Sequence, residues 1–143
     1  MPRHCEETGE RHREAMQYEN LGLIAYHESE FELAEKLIKQ GLTLFRQLGI
    51  GYGLATVLGS LAGPIAALGR PRRAARLLGA ADTHLESIGV DQQPADQPEI
   101  RLFLEAVRRA LSEDDFQSAW QAGQRMTIQE AVSYALSDVD DSE

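Results

Sequence analysis

Cysteine is almost absent. Cys5 is the only one in 143 residues, so no intramolecular disulfide framework is available and nothing in cysteine usage points to secretion. Long apolar runs are missing as well. The most apolar stretch, Leu54 to Leu68, is rich in Gly and Ala and is broken by Pro64. It is shorter than the ~20 residues that a membrane-spanning helix needs. The N-terminal string MPRHCEETGERHRE holds no apolar core of the signal-peptide kind. A cytoplasmic protein with no membrane segment is therefore expected. Positive charge is scarce, with 14 Lys+Arg against 23 Asp+Glu and a net charge of −9. Aromatic residues make up only 6%. The basic face with interleaved rings that nucleic acid requires is lacking, so direct nucleic-acid binding is not expected.

Catalytic signatures are missing too. There is no phosphate loop and no dinucleotide fingerprint. The nearest glycine run, Gly49 to Gly53, lacks Lys, Ser and Thr and reads as a hinge. His4, Cys5 and His12 fit no common zinc spacing. Asp138, Asp140, Asp141 and Glu143 lack the central glycine and terminal glutamate of a calcium loop. No nucleophile–base pair is built around Cys5. The expectation is a non-enzyme with no metal and no cofactor.

What is present is a repeat. Apolar residues at 43% and charged residues at 26% belong to an ordinary folded domain. Sliding the chain by 40 positions lays residues 20–50 on residues 60–90 without a gap. Leu21 meets Leu61, Gly22 meets Ala62, Leu33-Ala34 meets Arg73-Ala74, Leu37-Ile38 meets Leu77-Leu78, and Leu48-Gly49-Ile50 meets Ile88-Gly89-Val90. Each unit reads as two helices. Ala15, Tyr18, Leu21, Gly22 and Ala25 recur at helical spacing over about 11–27, and Ala34, Leu37, Ile38, Leu42 and Phe45 do so over about 31–48. Gly49 stops the second helix as a left-handed C′ residue. The second unit predicts helices over 52–68 and from Pro71, a residue suited to a first helical turn, to Gly89. Small residues let the paired helices approach closely, and such pairs bury their apolar faces by stacking on neighbours.

These residues carry a resemblance. Asn20-Leu21-Gly22, a polar turn, Phe31, Ala34 and Gly41-Leu42 resemble the tetratricopeptide repeat, and Leu61-Ala62, Gly69, Ala74 and Ala81 follow it more loosely. The segment from Gly69 to Val90, a Pro-rich linker, an Arg-rich helix and Asp114 to Leu136 together are similar to the C-terminal end of large bacterial regulators. Those regulators join a signal-transduction ATPase to helical repeats and often carry a LuxR-type DNA-binding domain. The likeness spans about 14–137 and includes neither ATPase nor effector domain. It implies an all-α, TPR-like α-α superhelix of two helix pairs with a C-terminal helical cap. It also raises the expectation that the chain is a fragment or stand-alone version of such a regulator.

The expected organisation is a flexible polar N-terminus (1–10), two helix pairs (11–90), a linker (91–98), the helical cap (99–137) and an acidic tail (138–143). In the cap, helices are predicted over 99–111, after the N-cap Ser112, and after the capping box Thr127–Glu130. If the repeat resemblance holds, the first helix of each pair lines a concave groove. Met16, Glu19, Leu23, Tyr26 and His27 would bind a protein or peptide partner there. The matching set Thr56, Gly59, Gly63 and Ala66 is small, which leaves the groove shallow or filled by the fifth helix. Charge divides unevenly: −3 over 1–50, +1 over 51–110 and −7 over 111–143. Arg70, Arg72, Arg73 and Arg76 form a basic patch for an acidic partner or the acidic tail, with Arg70 and Arg73 taken as partner-binding. Stability of stacked pairs usually needs at least three repeats. A homodimer through Ala15, Tyr18 and Leu21 of the first helix is thus the alternative expectation.

Overall fold

The structure is a computed structural model that describes residues 2–49, 51–87 and 98–137, with side chains described over 9–49, 53–87 and 99–137. Among the described residues the chain is all-α, with seven helices and no strand: α1 (Pro2–His27), α2 (Phe31–Leu48), α3 (Gly51–Ala67), α4 (Pro71–Ser87), α5 (Pro98–Ala110), α6 (Glu113–Gln124) and α7 (Ile128–Leu136). No described helix is long and apolar enough to cross a membrane. The expected acidic tail, the end of the fourth helix near Gly89 and most of the linker lie outside the described residues.

α1 and α2 form one hairpin, and α3 and α4 form the next. The 40-residue register appears directly in how the leading helices end. Ser29 adopts a left-handed φ of 63°, and Gly69, its repeat mate, one of 89°. Behind each, the chain makes the same pair of bonds. Ser29 N donates to Tyr26 O and Glu30 N to Ala25 O, at 3.0 and 2.9 Å. Gly69 N donates to Ala66 O and Arg70 N to Ile65 O, at 3.0 and 3.1 Å. This termination satisfies the last carbonyls of a helix and favours glycine at its left-handed position. Ser29→Gly is therefore expected to stabilise the chain by about 0.5–1 kcal/mol, read as a raised chemical-denaturation midpoint.

Helix α1 starts at Pro2, ahead of the start expected near Arg11. Proline suits a first helical turn, and the Glu- and Arg-rich segment behind it has good helix propensity despite lacking an apolar face. The predicted caps of the last two helices are present. Ser112 accepts a bond from Asp115 N, and Thr127 and Glu130 form a reciprocal capping box.

The core sits around α3. From Gly53 to Ile65 every residue except Thr56 is buried, because α3 packs on α1, α2, α4, α5 and α7. Ile38, Leu42, Phe45, Leu58, Leu61, Ile65, Leu77 and Val107 fill the space between the layers. Close helix approach depends on small residues. A Cβ on Gly22 would lie 2.4 Å from Ile38 Cγ1, and one on Gly41 2.9 Å from Ala15 O. At the far side α6 lies on α4 through two glycines. A Cβ on Gly79 would sit 2.3 Å from Trp120 O, and one on Gly123 1.9 Å from Arg76 O. Here the two helices touch backbone to backbone.

Candidate functional site

The groove residues expected from the first helix are drawn together, but against the chain itself. α5 lies over the α1–α3 side of the molecule. Its Phe103 is fully buried. The ring lies where Gly63 has no side chain, since a Cβ there would be 2.5 Å from Phe103 Cε1. Tyr26 meets the same ring edge-on, with centroids 4.9 Å apart. Ile100 covers Gly59 in the same way, 2.7 Å from a Cβ built there. At the rim His27 Nε2 and Glu99 Oε2 are 2.9 Å apart. Burial first, and then the Glu99 carboxylate, push the Tyr26 phenol above its usual pKa. Of the two sequence expectations for this groove, filling by the fifth helix is the one observed.

Glu19 is half-buried and already has a partner in the chain. Its Oε2 accepts a 2.7 Å bond from the Ser60 hydroxyl, joining α1 to α3. Burial raises the Glu19 pKa, and the Ser60 bond opposes that shift. A carboxyl whose folded pKa is raised favours folding fully below its unfolded pKa. That stability is lost as pH climbs through the higher folded value. Glu19→Gln is expected to remove this loss. The denaturation midpoint of E19Q should then exceed that of the parent by a margin that grows as pH rises from about 4.5 towards neutrality. Of the remaining groove candidates, Leu23 is half-buried and Met16 is 44% exposed.

The basic patch is mostly engaged internally. Arg70 is exposed, but Arg73 is only 1% exposed, which corrects its assignment to the surface. Its Nη2 donates to Tyr134 O and Ser137 O at 2.5 and 2.9 Å, and its guanidinium lies 4.3 Å from the Tyr134 ring centroid. A cation at the C-terminal end of α7 satisfies carbonyls that the helix leaves open and suits its dipole. Arg72 pairs with Asp115 at 3.1 Å, and Arg76 donates to the Tyr134 hydroxyl at 2.8 Å. Arg72, Arg76, Asp115 and Ser118 line a pocket of about 310 Å³. Among the described residues no group of three or more His, Cys, Asp or Glu side chains could hold a metal.

One surface stands apart. Leu21, Ile24 and Leu33 are 50%, 55% and 45% exposed. Gly22 touches Ala34 and Ile38 while Gly41 touches Ala15 and Tyr18. That antiparallel register sets Ile24 level with Leu33 and Leu21 level with Leu37, so the leucines and isoleucine share the outer face of the first hairpin. Ala15, expected on this face, is fully buried because the glycine at position 41 brings α2 across it. Ile24 and Leu33 were not singled out by periodicity, since each lies outside the stripe that faces the core. Their signal was the repeat itself.

No protein-family model, curated protein or solved structure matches this chain. The outer face must therefore be read from its own chemistry and from the internal repeat. The repeat mates of Leu21, Ile24 and Leu33 are Leu61, Pro64 and Arg73. All three mates are buried, Leu61 completely and Arg73 to 1% exposure. α3 is enclosed by α2 and four other helices, and Arg73 of α4 is covered by Tyr134 of α7. In the first hairpin the same positions have no covering helix among the described residues.

Proposed function

We propose that this chain is a non-catalytic protein–protein interaction module acting in the cytoplasm, of the kind found in the helical-repeat ends of bacterial signal-transduction regulators. The observation that carries the reading is the inequality between repeat mates: half-exposed Leu21, Ile24 and Leu33 against buried Leu61, Pro64 and Arg73. A pattern that is covered by helices in one repeat and bare in the other selects a helical occupant. The partner is a helical hairpin of another protein, stacked on α1–α2 as α2 stacks on α3. Large exposed apolar side chains grouped on one face are the common mark of such a site, and helix pairs of this type bury their apolar faces on neighbours.

The test is a Leu21→Glu/Ile24→Glu double variant studied by light scattering and thermal denaturation. Both positions are exposed, so the expected change in stability is within about 0.5 kcal/mol, and the purified parent chain is expected to be a monomer. A dimer lost in the double variant would assign the face to a second copy, which is the alternative homodimer reading. A dimer that survives the double substitution, or a double variant that unfolds, would overturn the assignment of this face as the docking surface.

A further inference from the structure

We propose, resting on the docking reading of α1–α2, that the partner hairpin inserts an arginine into the cavity at the turn of the first hairpin, between Glu30 and Glu32. The cavity has a volume of about 330 Å³ and is lined by Ser29, Glu30, Phe31, Glu32, Leu33 and Leu68. Leu33 belongs to the outer face, so the cavity adjoins the docking surface. Phe31, Leu33 and Leu68 offer apolar carbon to an aliphatic stem, and Phe31 offers a ring to a planar cation. Tyr26 braces that ring, with centroids 5.5 Å apart. Glu30 and Glu32 are both exposed, and the Glu30 side chain makes no capping bond to α2. An arginine supplies the stem, the planar charge and donors for two carboxylates in one side chain.

The sign of the charge comes from the repeat. Glu30 and Glu32 hold the positions of Arg70 and Arg72 in the second hairpin, so charge is inverted between mates. In the second hairpin the covering helices are complementary to those positions. Arg72 pairs with Asp115 of α6 at 3.1 Å. Arg73, the mate of Leu33, donates to Tyr134 O and Ser137 O at the end of α7. The helices laid on the basic turn thus bring a carboxylate and carbonyl acceptors. A helix laid on the acidic turn brings a base by the same complementarity. Within α2 the one ion pair among the described residues joins Lys39 to Glu35 at 3.4 Å, and it involves neither glutamate of the turn.

The probe is n-butylguanidinium, titrated into the isotope-labelled full chain and followed by amide NMR, with n-butylurea as the uncharged match. Saturable shifts at residues 29–33 and 68 are expected with the cation, half-complete in the millimolar range, and none with the urea. Glu30→Gln/Glu32→Gln changes only exposed side chains, so folding is retained. It is expected to weaken binding at least about fivefold. Glu10→Gln/Glu14→Gln, the same charge change at exposed positions of α1, is expected to leave binding as it is. No saturable shift in the parent, or equal weakening by both double variants, would overturn the site. A photoreactive residue at position 24 separates this proposal from the docking reading. Adducts in the native host that fall at least about fivefold in the E30Q/E32Q chain support the arginine. Adducts undiminished in that chain would overturn the arginine and leave the docking face standing, whereas no adduct from the parent would overturn both.

Discussion

Gly123→Ala should cost about 3–4 kcal/mol, above the usual ~1–3 kcal/mol of an overpacked core. Its added Cβ would lie 1.9 Å from Arg76 O, and the atom it meets is main chain rather than the movable end of a side chain. Relief requires α6 to lift from α4. Lifting separates Gly79 from Trp120 as well, and exposes the buried Phe116 and Ala119. A fall of about 10 °C in melting temperature is the expected reading for a chain of this size. Gly9→Ala supplies the opposite sign. Gly9 lies in α1 with nothing within 4 Å of an added Cβ, so alanine there gains helix propensity of up to about 1 kcal/mol. If G123A melts where the parent does, the backbone contact between α4 and α6 is wrong.

The second large effect belongs to Arg73. Arg73→Ala removes the donor to Tyr134 O and Ser137 O together with the cation stacked on the Tyr134 ring. Ser137 O loses this donor, at about 1–3 kcal/mol, while Tyr134 O keeps its bonds from Ser137 N and Oγ, so a loss of about 2–4 kcal/mol is expected once the lost packing is included. The damage should be local first. α7 has nine residues, too few to persist undocked. Its amides should therefore lose protection in hydrogen exchange while those of α1 and α2 keep theirs. Arg73→Lys should fall between parent and alanine, because an ammonium keeps the charge but not the planar guanidinium that lies on the Tyr134 ring while its Nη2 donates to two carbonyls. Equal protection of α7 in R73A and parent would remove Arg73 from this role.

Much of the fold was legible because its determinants are local. The turn at Gly49, the caps at Ser112 and Thr127, and the 40-residue register each depend on residues adjacent in sequence. The structure places them as expected. Three features were not legible, for different reasons. The Pro2–Gly9 stretch carries no apolar periodicity, so only its propensity argues for a helix, and pattern reading passes over it. Arg73 shares its spacing with surface arginines 70, 72 and 76. Its burial depends on the end of α7, more than sixty positions away in the chain. The seating of Phe103 between Tyr26 and Gly63 is likewise a meeting of three distant segments. The small groove-lining set at 59 and 63 did anticipate that something would fill the space, though not which side chain.

The candidate site changed most. Glu19, Tyr26 and His27 are where a groove would place them, yet each already has a partner within the chain. Leu21 belonged to the dimer expectation, and only its comparison with Leu61 gives it meaning. A 50% exposed leucine is unremarkable alone, because isolated apolar residues are common on surfaces. Its mate at 0% exposure shows what this position does when a helix covers it.

Site-specific photo-crosslinking in the native host tests the central claim most directly. A photoreactive residue is placed at position 24 or 33, on the outer face of the first hairpin, or at position 121, which is exposed on α6. The account predicts adducts of one defined mass with another protein from positions 24 and 33, none from 121, and loss of the position 33 adduct when Leu21→Glu is added. Equal labelling from all three positions, or none from 24 and 33, would contradict it.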